Sequence, residues 1–187
     1  MFLNFSRCYT ISYKENLKGT HKSYLERLTL QLKSAGIETV ATIINYDLPN
    51  NYYTFTNPNN VGWLGDKIQI ALENSPYLDT LIAFLGQNVD RWVTFESIGQ
   101  EIIYGYGDKN YPPSRFDYAQ STSHIFTAAH NIMKAHKFIY EKFKDEGIQN
   151  VGIGIEGLEY SQPADPENQK GFGFKIYGNF LRFSSGT

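Results

Sequence analysis

The chain has 187 residues, with 17 Lys and Arg against 19 Asp and Glu and a net charge of -2, the length of a single domain (residues 1–187) whose core needs no disulfide or metal. Its basic residues are scattered, which excludes the electrostatic footprint of a nucleic-acid binder and a basic face for a membrane surface. Aromatic residues make up 16% of the chain, 14 Tyr and 13 Phe among them, and they supply core volume and flat faces of the kind that stack on sugar rings. Met1 to Arg7 lacks a basic segment followed by a long apolar one, so no signal peptide is predicted and the chain as written reads as cytoplasmic. No apolar run reaches the ~18 residues of a membrane span. Phe2 to Thr10 alternates loosely and is a candidate short strand. Cys8 is the one cysteine. It reads as an inert buried thiol, and no Cys/His spacing resembles a metal site.

From Thr20 the period turns helical, with Tyr24, Leu25, Leu28 and Leu32 on one face. Thr20 is placed to cap this helix and Gly36 to end it. Ile37 to Ile44 is a β-branched run and reads as a buried strand. Asn50 to Asn60 is a surface loop rich in Asn, Tyr and Thr. Leu64, Ile68, Ala71 and Leu72 restart a helix, Pro76 interrupts it, and Leu78, Leu81, Ile82 and Leu85 carry a second one to Gly86. Val89 to Phe95 is the next strand. Ser97 to Pro113 is Gly- and Tyr-rich and reads as a loop. Tyr118 to Lys144 is the longest helix, with Ile125, Ala128, Ala129, Ile132, Met133, His136, Ile139, Tyr140 and Phe143 as its inner stripe. Gly147 stops it. Val151 to Ile155 is a compact strand, followed by a polar loop with Pro163 and Pro166 and an aromatic segment from Gln169 to Phe183. Strand and helix alternate, which predicts an α/β fold with a parallel sheet and crossover helices. Periodicity leaves a doubly wound sheet and part of a barrel equally open.

The motifs are more specific than the periodicity. Gly36-Ile37-Glu38 leads into Val40-Ala41-Thr42-Ile43-Ile44-Asn45-Tyr46-Asp47-Leu48-Pro49, and Val61-Gly62-Trp63 follows. Gly86 to Phe95 carries Gly86, Val89, Trp92, Thr94 and Phe95 in sequence. Tyr104-Gly105-Tyr106-Gly107, Ala129-His130-Asn131, Ala135-His136 and Asn150-Val151-Gly152-Ile153-Gly154-Ile155 come after. In this order and spacing the segments resemble glycoside hydrolase family 1, the β-glucosidases and their relatives, and animal members most closely. The resemblance implies a partial (β/α)8 barrel, roughly the second to fifth βα units. A whole barrel takes about 250 residues.

Retaining glycosidases work with two carboxyls ~5–5.5 Å apart, a nucleophile and an acid/base. The resemblance places no counterpart of the nucleophile strand in residues 1–187. For the acid/base two alignments stay open. Without a gap, Glu96 falls on the Asn of the family's Asn-Glu-Pro, and Ser97 on its Glu. With a two-residue deletion, Glu96 takes the acid/base place. Asn45 stands where the family has a sugar-binding His, and it still donates to and accepts from hydroxyls. Tyr46 replaces the neighbouring Trp and keeps a stacking face. Trp63 completes the expected sugar-binding set. At the preceding strand, Phe5 to Tyr9 is a vague match, and the Arg that supports the nucleophile has become Ile11.

The resemblance thus implies a β-glucosidase-like protein whose packing motifs persist while its chemical positions change, impaired in catalysis and still able to hold a β-glucoside. No cofactor or metal is implied. Open barrel edges imply self-association. Animal members are often secreted, so the localisation stays open. His130 and His136, six apart, belong to helix packing on this reading, and Glu156 and Glu159 to the surface.

Three alternatives stand beside it. One is an active retaining β-glucosidase represented by a fragment. Another is a non-enzymatic interaction scaffold. The third is a nucleoside deoxyribosyltransferase-like domain, suggested by Asp79 to Ala83 and Ser97 to Glu101. That one needs a strand over Asp79 to Phe84 and Glu101 at a helix start. The glycosidase reading needs a helix over Leu78 to Leu85 and Glu101 in a loop.

Overall fold

The computed structural model describes residues 19–45, 48, 52, 61–74, 76–107, 122–161 and 173–182. The candidate strand at Phe2–Thr10, Cys8, Ile11, Tyr46 and the Asn50–Asn60 loop, Tyr52 excepted, lie outside these residues. Helix α1 spans Gly19–Ser34, so Thr20 falls inside its first turn rather than before it. Leu25 and Thr29 are its buried residues, and the Thr29 hydroxyl is satisfied by the Leu25 carbonyl one turn back at 2.9 Å. Tyr24, expected on the inner face, is 55% exposed. Gly36 ends the helix as predicted. Its φ of 69° lets the Ile37 N–H reach the Leu32 carbonyl and its own N–H reach that of Lys33, both at 3.0 Å. This is a Schellman closure, which favours Gly because a side chain is strained at that φ.

Strand β1 is Val40–Ile44, shorter than the Ile37–Ile44 run because Ile37 is occupied by that closure. A 3₁₀ turn at Gly62–Leu64 leads into helix α2, Lys67–Asn74, and helix α3, Tyr77–Leu85. Pro76 separates the two as predicted. The strand that the deoxyribosyltransferase-like alternative requires at Asp79–Phe84 is therefore helix. Strand β2 is Arg91–Phe95. Beyond it the described part of the expected loop forms the five-residue helix α4, Ile98–Ile102, and a π-turn at Ile103–Gly107. Glu101 is thus on a helix and not in a loop. Helix α5, Thr122–Asp145, buries Ala128, Ile132, Ala135, Ile139 and Phe143 completely. Met133, expected in that stripe, is 47% exposed. It lies about 100° around the helix from Ile132. Gly147, at φ 81°, closes α5 as Gly36 closes α1, with the Ile148 N–H on the Phe143 carbonyl at 3.0 Å.

Strand β3 runs from Val151 to Ser161, well past the expected Ile155. Strand β4, Gly173–Arg182, returns antiparallel along it, with an irregularity between Ile155 and Gly157. The sheet order is β1-β2-β3-β4. β1, β2 and β3 are parallel, as the strand–helix alternation predicts, and the antiparallel β4 departs from that pattern.

β1 and β2 are buried on both faces, the condition of a parallel sheet covered by helices. Trp92 packs edge-on against Phe143 of α5 with ring centroids 5.1 Å apart, and Thr94 bonds His136 of the same helix at 2.8 Å. Alternate residues of β2 therefore face the helices, and Val93 and Phe95 face the opposite, inner side. Thr42 and Ile44 pair with Val93 and Phe95 and share that inner face.

The N-terminal ends of β1 and β2 are clasped. Asp90 Oδ2 accepts from the Thr39 N–H at 2.7 Å and from the Thr39 hydroxyl at 2.9 Å. These bonds, the backbone one foremost, hold the Asp90 carboxyl below its ordinary value. Arg91 bonds exposed Glu38 at 2.6 Å, a surface pair of small worth. Asp90→Ala orphans the Thr39 N–H, in a residue only 4% exposed, and is expected to cost about 1–3 kcal/mol in urea unfolding at pH 7. Because the folded carboxyl has the lower pKa, its contribution is complete above the unfolded value and is lost as pH falls through the folded one. The gap between Asp90→Ala and the parent should close with acidification below pH ~4.

Candidate functional site at the C-terminal ends of the strands

Ile44 pairs with Phe95, so the next residues, Asn45 and Glu96, leave the sheet side by side at its C-terminal edge. Both are half-buried. Glu96 Oε2 accepts from the hydroxyl of Thr42 at 3.1 Å. Ser97, immediately after, has φ 59°, the left-handed region that a non-glycine residue seldom occupies. An amide and a carboxylate at adjacent strand ends can together donate to and accept from neighbouring hydroxyls of a polyol. Tyr46 lies outside the described residues.

Trp63, the remaining sequence-predicted site residue, is 1% exposed and belongs to the core. Its indole N–H donates to Glu101 Oε1 at 2.7 Å. Its backbone N–H donates to the Tyr106 hydroxyl at 2.6 Å, and its carbonyl accepts from the Asn131 amide at 2.8 Å. Its ring meets Phe95 edge-on, with centroids 5.5 Å apart. The 3₁₀ turn, α4, the π-turn, α5 and β2 thus converge on one tryptophan directly behind the strand end that carries Glu96. Sequence reading considered Glu101 only within the deoxyribosyltransferase-like alternative and missed its pairing with Trp63. The available signal was an acidic residue set among Ile98, Ile102 and Ile103, where a surface carboxylate is out of place.

His130 is exposed on α5. His136 is half-buried, and burial lowers its pKa; its Nδ1 lies 2.8 Å from the Thr94 hydroxyl oxygen. The Thr94 hydroxyl in turn donates to the Gly152 carbonyl at 3.1 Å, tying β2 to β3. Among the described residues no group of three His, Cys, Asp or Glu is arranged to hold a metal. Glu156 and Glu159 fall on β3.

Sequence comparison matches residues 12–176 to the family described as "Glycosyl hydrolase family 1". Human lactase/phlorizin hydrolase is 24% identical over 188 aligned residues, covering 98% of this chain and 9% of its own length. Beta-glucosidase 4 of Oryza sativa is 31% identical over 134, covering 68% of this chain and 26% of its own. Among solved structures, a β-glucosidase from Exiguobacterium marinum superposes with a TM-score of 0.69 at 18% identity. A β-glucosidase from Thermotoga maritima in complex with deoxynojirimycin does so with 0.67 at 19%. Each alignment covers 90% of this chain and 36% of the other. The fold is that of about a third of such a barrel, and the chain spans about a quarter or less of these two curated relatives.

Proposed function

Since the chain belongs to glycosyl hydrolase family 1, we propose that it is a β-glucoside-binding member impaired in hydrolysis, its sugar held at the C-terminal ends of β1 and β2. The observation that carries this is the register that sets Asn45 beside Glu96 at that edge, the end where (β/α) barrels place their ligands. In this reading Asn45 and Glu96 bond sugar hydroxyls, Tyr46 stacks on the ring, and Trp63 supports the site from the core. Impairment is supported by the altered positions themselves. Asn45 cannot become cationic as a His can, and Ile11 cannot support an anion.

Calorimetric titration with cellobiose and p-nitrophenyl-β-glucoside tests the reading. Binding is expected, weakened about tenfold in Asn45→Ala by the loss of a hydroxyl contact. Absence of binding to either sugar would overturn it. Self-association belongs to the same proposal. β4 is an outer strand of the described sheet, and an outer strand is where another chain can pair. Light scattering is expected to give at least a dimer mass, and a clean monomer at high concentration would refute this part.

A further inference from the structure

We infer that Thr42 is a positioning residue that draws the Glu96 carboxylate onto the inner face of the sheet, where a bound glucoside meets it. The inference rests on the sugar-binding reading and adds to it the device that aims its acidic group.

Thr94 faces α5, as its bond to His136 shows. A regular strand alternates its side chains, so Glu96, two residues on, would face the same helix. Its carboxylate instead meets the Thr42 hydroxyl, which shares the inner face with Val93 and Phe95. The chain therefore leaves strand geometry at the end of β2. Ser97, next in the chain, is no longer extended, φ 59°. Gly154 on β3 leaves room for it. A Cβ there would stand 3.1 Å from the Phe95 carbonyl oxygen, tighter than most packing contacts, and would touch Glu96 Cα at 3.4 Å.

Gly154 thus makes room for the strand end, and Thr42 supplies the polar contact that holds the carboxylate there. Thr42 is itself 4% exposed, so its hydroxyl is a fixed donor rather than a ligand-facing group. A strained non-glycine residue held at a ligand-binding edge is where such a geometric cost is retained for function.

The test is a double-mutant cycle on the full chain, reading the Kd for p-nitrophenyl-β-glucoside by calorimetry. Thr42→Val should weaken binding about tenfold, the loss expected when a carboxylate loses its orienting donor. Thr42→Ser should restore most of it. In a Glu96→Ala background, Thr42→Val should change the Kd no further, because nothing remains to be positioned. A general packing role for Thr42 would give equal losses in both backgrounds, or a loss that Ser fails to rescue, and either result overturns the inference while leaving sugar binding intact. Failure of the parent protein to bind would overturn the sugar-binding reading and this role with it.

Discussion

Trp63→Ala is expected to destabilise the protein by about 3–5 kcal/mol, the cost of truncating a large buried aromatic. With Trp92, Trp63 is one of the two tryptophans in the buried core. The ring is 1% exposed, meets Phe95 edge-on, and bonds Glu101 through its N–H. Truncation opens a cavity and also leaves the Glu101 carboxyl, in a residue 8% exposed, without this donor. The two costs separate with Trp63→Phe, which keeps much of the volume and removes the N–H. That variant is expected to lose about 1–3 kcal/mol. Urea unfolding of both variants measures the difference. A Trp63→Ala protein within about 1 kcal/mol of the parent would show that the convergence on Trp63 contributes little.

Gly62→Ala should be comparably severe for a side chain one carbon larger. Gly62 has φ 55°, and a Cβ there would collide with the Tyr106 hydroxyl. The left-handed conformation costs a non-glycine residue about 1–2 kcal/mol, and overpacking a tight site typically adds about 1–3 kcal/mol. The displaced hydroxyl is also the group that accepts from the Trp63 N–H. Tyr106→Phe in the Gly62→Ala background removes the colliding oxygen. It should recover part of the loss, which thermal unfolding would register, and no recovery would assign the whole cost to backbone strain.

Both residues sit in the Gly-Trp motif, so the importance of this segment was legible in the sequence, but its role was not. Trp63 is placed in the sugar-binding set by the family resemblance. The structure seals it with partners from sequence-distant elements, Glu101 and Asn131, and no local pattern encodes such pairings. The same long-range bonding explains why the segment after Ser97 reads as a loop yet forms α4 and the π-turn. Gly and Tyr there give weak local propensity, and Tyr106 is held by Trp63.

Where local chemistry suffices, prediction and structure agree closely. Gly36 and Gly147 end their helices through positive φ, Pro76 divides α2 from α3, and the β-branched core of Val40–Ile44 is a parallel strand. The extension of β3 to Ser161 and its return as β4 depend on pairing between segments whose sequence spacing carries no signal. The candidate site shows both sides of this. The strand ends that carry Asn45 and Glu96 follow from motif order, whereas the contact of Glu96 with Thr42 joins residues of two strands that no local pattern pairs.

The proposal that this family 1 chain binds a β-glucoside while impaired in hydrolysis is tested most directly by a p-nitrophenyl-β-glucoside assay run beside calorimetry on the same sample. The account predicts binding with no release of nitrophenol above the buffer rate. Turnover that disappears in Glu96→Gln would contradict it, and would assign Glu96 the acid/base role in an active enzyme.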